Sequence, residues 1–288
     1  MNETSRNAAR LFFGLATASL ALALAGCQSN RTHPMHQPWG DGGTEPPLGC
    51  LPNLDGRIER SELAPAFGVP VSVLVSPTGE TRDVNLAGID DGGSIYWDFG
   101  ADYASDRITQ PVATPIAGAW FAASFPTDAF YIAYDPGGTI MGVYRIDDAG
   151  LYLLGLASTE MDPAEGRTLL VYATPIVVLQ LPLVPGASWV SVGEVTNGTV
   201  RGLPYAGMDT YTSRVVASGQ LVLPQITFDQ TMRVTTEVVV SPAAGAPVTR
   251  RQSSFVFECF GEVARMTSLD GETSDDFTTA AEMRRFGL

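Results

Sequence analysis

The side chains able to do chemistry in this chain are mostly oxygen donors. Of 288 residues, 31 are Asp or Glu; the 17 basic residues are all Arg, and there are two His. Asp98, Asp102 and Asp106 recur at a spacing of four, preceded by Asp90-Asp91-Gly92-Gly93. Such a run could hold a hard cation through carboxylate oxygens, although solvated loop carboxylates are the plainer reading. A glycosidase needs only two carboxylates, and no spacing here singles out a pair. The missing residue types narrow the choice further. The only histidines, His33 and His36, fall in a polar stretch near the amino terminus, so the body of the chain cannot build a Ser-His-Asp relay or a His-based zinc site. There is no Lys for a Schiff base or a phosphate loop, and no Gly-x-Ser-x-Gly. Asp98-Phe99-Gly100 has no phosphate or catalytic loop to make it a kinase signature.

The amino-terminal segment carries a different chemistry, at a thiol. Arg6 and Arg10 precede LFFGLATASLALALAG (11–26), a charged region followed by an apolar one, as in a secretory signal. The apolar run is shorter than the roughly 20 residues that span a hydrocarbon core. It ends in Leu24-Ala25-Gly26-Cys27, which resembles the lipobox of bacterial lipoproteins. The resemblance implies a diacylglyceryl (palmitate-type) thioether on Cys27, cleavage before it, and residues 1–26 as a signal peptide. Two acyl chains hold a protein on a bilayer, at roughly 0.8 kcal/mol per buried methylene. Gln28, in place of the Asp that retains such proteins in the inner membrane of enteric bacteria, favours the outer membrane.

Residues 27–49 are polar and rich in Pro and Gly and read as a flexible tether; the 22 residues after Cys27 span roughly 25 Å as a coil. The remainder, 50–288, is long enough for a full core and forms one β-rich domain or two subdomains split near 170. Net charge is −14 and the isoelectric point is near 4.4. An acidic chain without basic clusters repels phosphate backbones, which excludes nucleic-acid binding, and it is repelled by anionic lipid surfaces, so attachment falls to the lipid anchor. With Cys27 assigned to lipid, Cys50 and Cys259 remain in an oxidising compartment. They form either a disulfide closing a very long loop or two buried free thiols.

From Val69 onward the pattern is period-two, β-branched and aromatic, with turn signals at short intervals. It predicts strands at 71–76, 81–88, 93–99, 119–125, 129–135, 139–146, 151–157, 168–174, 176–183, 188–196, 199–204, 209–218, 220–224, 232–241, 251–260 and 262–269. Asn197-Gly198 is the residue pair of a type I′ hairpin. The connections are too short for crossover helices, so the sheet is antiparallel. Residues 275–286, acidic at the start with Arg284 and Arg285 near the end and Gly287 after them, predict a short C-terminal helix. The expected fold is thus mainly β: an antiparallel β-sandwich or open barrel with one terminal helix. An integral outer-membrane barrel fits less well, because the strands are short and unevenly patterned.

Two further resemblances bear on function. LVLPQITFD (221–229), with FECFGEV (257–263), is similar to the V-x-V-P-A-G-x-F-D hairpin and returning strand of uncharacterised bacterial envelope lipoproteins; Gln225-Ile226 replaces the family's Ala-Gly. This implies fold and location, with no agreed activity. Residues 51–62, LPNLDGRIERSE, resemble the later part of an EF-hand or dockerin calcium loop. That implies ligands from Asn53, Asp55, the Arg57 carbonyl, Glu59 and bidentate Glu62, with Gly56 at the sharp turn. Leu51 stands where the first carboxylate belongs, and Pro46, Pro47 and Pro65 disfavour the flanking helices, so any calcium site is weak, in the millimolar range. The alternative is an Asp-Gly turn pinned at Cys50. Together these features point to a non-enzymatic envelope lipoprotein whose domain binds an envelope component or serves structurally. The alternatives are a carrier for a lipophilic ligand, marked by a dry apolar pocket, and a carboxylate-dependent hydrolase, marked by two acids facing across a cleft.

Overall fold

A computed structural model describes residues 49–287. The signal segment, Cys27, both histidines and the tether up to residue 48 lie outside the described residues. Strands β1 (Val73–Val75), β2 (Arg82–Asp83), β3 (Ile89–Asp91), β4 (Ser94–Asp98), β5 (Arg107–Thr109) and β6 (Thr114–Pro115) are short. Next come β7 (Phe130–Ala133), β8 (Ile140–Asp147) and β9 (Gly150–Ser158). The long members are β10 (Leu169–Gln180), β11 (Ser188–Val200), β12 (Leu203–Val222), β13 (Thr227–Pro242) and β14 (Val248–Phe257), followed by β15 (Gly261–Ser268) and β16 (Thr279–Phe286). All join one open sheet, whose main path runs β5-β1-β16-β15-β14-β13-β12-β11-β10-β9-β8-β7-β6. Every pairing is antiparallel except β4 with β12; β4 arrives by a long excursion that frees its direction. A division near 170 would fall inside β10, which pairs with β9 on one side and β11 on the other.

The two ends of the path meet. β5 pairs with β1 and β6 pairs with β7, and only residues 110–113 separate β5 from β6. Within that gap Val71 donates to the Pro111 carbonyl and Gly68 to that of Ala113. One extended segment therefore serves both edges, and the sheet wraps round on itself. The face turned inward carries Trp189, Val215, Met232 and Val256 towards one end and Leu153, Tyr172, Ile176, Tyr211 and Val238 further along. Arg284 on β16 donates to the Tyr134 carbonyl just after β7, at 2.8 Å, which joins strands from opposite ends of the path across this face.

The outer face is covered in patches. Arg233, Phe255, Ala264 and Arg285 stand in one row across β13 to β16. Over them lie β4 and its flanks, with Trp97 and Phe99 edge-on to Phe255 at 5.1 and 5.5 Å, together with Leu86 and Phe277. Phe255 is fully buried, which contributes about 1.5–3 kcal/mol. Gly219 lets β4 approach: a Cβ there would meet the Ile95 carbonyl oxygen at 2.2 Å.

Several expectations need correction. The C-terminal helix is absent; β16 occupies its place. A helix of about ten residues is marginal alone, whereas β15 and β1 offer this segment ladders on both sides. Arg285 is not a solvated end charge but 1% exposed. The strand expected at 119–125 is a turn with a short 3-10 helix, Ala122–Ser124, following Gly118 at φ +85° and packing Phe121 and Phe125 on Val143, Leu154 and Ala157. The strands expected on either side of Pro175 merge into β10 through a register shift between Val171 and Ile176. The β11–β12 hairpin turns at Arg201-Gly202, with φ of +49° and +77°, and not at Asn197-Gly198. Asn-Gly permits positive φ without requiring it; here it sits in a register shift, where a Cβ on Gly198 would lie 2.6 Å from Leu170.

The bridge between Cys50 and Cys259 is formed, with Cα atoms 5.5 Å apart and 209 positions between the partners in sequence. Replacing Cys50 and Cys259 together by Ala is expected to lower unfolding free energy by about 2–5 kcal/mol in denaturant titrations; an unchanged midpoint would show that the bridge is not restraining the unfolded chain.

Candidate functional site

The segment resembling a calcium loop folds back on its own backbone. Asn53 Oδ1 accepts from the Asp55 amide at 2.9 Å and Asp55 Oδ1 from the Arg57 amide at 3.0 Å, two successive Asx turns. Glu62 Oε2 accepts from the Glu59 amide at 2.9 Å in a capping box, and Glu59 pairs with Arg57 at 3.1 Å. Glu258, 4% exposed, accepts from the amides of Asn53 and Leu54 at 2.7 and 2.8 Å. The Glu62 carbonyl takes the Cys259 amide at 2.8 Å. Asn53, Asp55, Arg57, Glu59 and Glu62 are thus close in space, with one oxygen each of Asn53, Asp55 and Glu62 accepting a backbone N–H. Among the described residues no group of three or more His, Cys, Asp or Glu is placed to hold a metal ion. Sequence reading missed Glu258, whose only signal was its position beside a cysteine.

The spaced aspartates part company. Asp98 Oδ1 accepts from the Gly100 amide at 2.9 Å. Asp106, its side chain 4% exposed, bridges Arg82 at 3.1 Å and Arg285 at 2.6 Å. Arg285 also donates to the carbonyls of Phe99 and Ala101, at 2.5 and 2.7 Å, and Tyr103 lies under both guanidiniums at 4.4 and 5.2 Å. This carboxylate clamps residues 99–106 to the outer face of the sheet. Its role is structural.

Two concavities stand out, both open to the surface. The larger, about 570 Å³, lies between residues 59–64 and Leu181-Pro182, and the Arg60–Asp148 ion pair at 3.1 Å sits beside it. The other, about 450 Å³, crosses the sheet from β11 to β14 and is lined by Ser188, Val190, Thr212 and Thr235 with Arg214, Glu237, Arg251 and Asp275, over the backbone of Trp189 and Ser213. Here Arg251 sits between two carboxylates, pairing with Glu237 at 3.2 Å and with Asp275, while Arg214 reaches Asp275 at 3.3 Å. Two guanidiniums and two carboxylates cancel, so the groove is locally neutral, with exposed Val190 beside the hydroxyls and paired ions. The acids do face one groove, yet a guanidinium lies between them. This groove was missed because it needs four strands and the 270–276 segment to come together.

Two outcomes follow. Asp106→Asn leaves buried Arg285 without its carboxylate and Arg82 with Glu80 alone, and is expected to cost about 3–5 kcal/mol in unfolding free energy, with little change for Asp102→Asn as the control. Calcium up to the millimolar range is expected to give no saturable rise in melting temperature beyond that given by magnesium at equal ionic strength. A calcium-specific rise that Asp55→Asn abolishes would establish the loop as a metal site.

The chain matches no protein-family model, no curated protein and no solved structure.

Proposed function

We propose that this protein is a membrane-anchored envelope lipoprotein whose β domain acts by binding, without catalysing a reaction. The single observation carrying the address is Leu24-Ala25-Gly26-Cys27 at the end of a short, charge-flanked apolar run. The Cys50–Cys259 bridge supports it, because disulfides persist in oxidising compartments outside the cytoplasm. Among the described residues no helix is long and apolar enough to cross a membrane, so attachment through the lipidated Cys27 is the economical route. Gln28 favours the outer membrane. The β11–β14 groove supports the binding role: its neutral mixture of hydroxyls, Arg214, Arg251, Glu237 and Asp275 suits an uncharged, hydroxyl-rich envelope component. The inner face is packed with the protein's own side chains, among them Trp189, Val215, Met232, Leu153 and Ile176 with several tyrosines, which suits a lipophilic cargo less, and in the groove a guanidinium lies between Glu237 and Asp275, which suits a hydrolase less.

Labelling with a palmitate analogue, followed by detergent partition and envelope fractionation, tests this reading. Wild-type protein is expected to take the label and enter the detergent phase with the outer membrane. Cys27→Ser is expected to lose both properties. Retention of Cys27→Ser in the envelope would refute lipid anchoring.

A further inference from the structure

Asp209, midway along β12, is 8% exposed and lies on the inner face. Its Oδ2 accepts the Tyr172 hydroxyl at 2.5 Å, while its Oδ1 is enclosed and has no hydrogen-bond partner. An ionised carboxylate in such a place normally has a cation or several donors, because burial without them is costly. Here every titratable group facing it is a phenol: Tyr172 on β10, Tyr205 and Tyr211 on β12, and Tyr134 beyond them. Its register partners, Gly193 on β11 and Val240 on β13, bring no charge. The arginines of the inner face are engaged elsewhere, Arg250 with Asp270, Arg265 with Glu262 and Arg284 with Glu282.

Neighbouring side chains pack closely around the strands that carry this carboxylate: a Cβ on Gly193 would lie 2.6 Å from Ile176 and 2.7 Å from Tyr172, and one on Gly207 would lie 2.6 Å from the Tyr205 hydroxyl. Separation of β11 from β12 beside Asp209 would admit water to it. The nearest irregularity in the ladder is the register shift between Val195 and Gly198, just past the Gly193–Asp209 pair; beyond it lies the hairpin end, closed at Arg201-Gly202 and held to its neighbours by the Leu169–Thr199 pair, the Gly202 amide on the Arg167 carbonyl at 2.8 Å, and the Gly207–Pro242 and Met208–Ser241 pairs.

We propose that Asp209 is the proton-binding element of a pH switch that keeps the end of the β11–β12 hairpin, residues 196–208, closed when its carboxyl is protonated and releases it on ionisation. Burial raises the titration point of Asp209 above the ordinary 3.8, and the Tyr172 hydrogen bond opposes this only in part. In the opened hairpin the group is hydrated and titrates near its ordinary value. The closed form thus binds the proton more tightly and is favoured in acid. Its advantage falls by up to about tenfold per pH unit between the two titration points, then levels off.

Hydrogen-exchange mass spectrometry on the whole protein from about pH 4 to about pH 8, corrected for intrinsic exchange rates, reads this equilibrium directly. Protection of residues 196–208 is expected to fall as pH rises in the wild type, by up to about tenfold per pH unit where Asp209 titrates, and to stay level in Asp209→Asn. Tyr172→Phe, which removes the one donor to the carboxylate, is expected to move the fall to higher pH. A level profile in the wild type, or a fall in Asp209→Asn equal to that of the wild type, would overturn the switch. Carbon-13 NMR of the carboxyl groups in unsubstituted protein gives a reading independent of any variant. Titration of Asp209 together with the loss of protection supports the proposal, and titration at the ordinary carboxylate value overturns it.

Discussion

A sheet of this size has two edges, and each unpaired edge presents a row of N–H and C=O groups that either find partners or recruit another chain. The structure depends on residues 107–115, which pair with β1 at their beginning and with β7 at their end. Because one segment satisfies both edges, the wall can curl, and because it curls, it has an inside. The strands at the ends of the path, β5 and β6, and the off-path strands β2 and β3 are each no longer than three residues. That brevity is itself protective: two or three residues offer too little ladder for a second molecule to extend.

Once the sheet has curled, its outer face still carries large apolar residues and buried arginines that must be covered. The chain covers them with irregular segments, and arginine holds those segments down. Arg285 ties residues 99–106 through Asp106 and two carbonyls. Arg233 donates to Ser253, to the Leu86 carbonyl and to the Asp275 carbonyl, and it pairs with Asp276 at 2.7 Å. Lysine could not replace either, since each guanidinium serves at least three acceptors in a plane. The absence of Lys from the sequence, readable as a bias of composition, thus coincides with a fold in which forked donors fasten loops to a sheet.

Much of the strand pattern was legible because one face of most strands is buried and the period is two. Asp209, Tyr211, Ser213 and Val215 alternate with outward residues in DTYTSRV, and that alternation survives in β12. What failed has a common origin. Residues 279–286 carry helical end signals, yet the same Arg284-Arg285 pair, read with period two, sends one side chain to each face, and only the neighbouring strands decide between the readings. Trp120, Phe121 and Phe125 look like strand residues, but they form a turn that covers β8 and β9. The loop at 51–62 shows the limit for the candidate sites: its residue types and spacing were visible, whereas the backbone amides that claim their oxygens were not. The β11–β14 groove and Asp209 depend on partners up to about 60 positions apart, such as Arg214 and Asp275, which local pattern cannot register.

The sulfur bridge has a mechanical corollary. Cys50 precedes every strand, while Cys259 sits in the turn between β14 and β15, well inside the sheet. A pull on the chain from its amino-terminal side would therefore enter the body through covalent bonds at an interior turn and be shared among several long neighbouring strands. The short, weakly held β1 and β2, which come next along the backbone, would be shielded from that load. Reduction would reverse this, and tension would then peel the wall from its first strand.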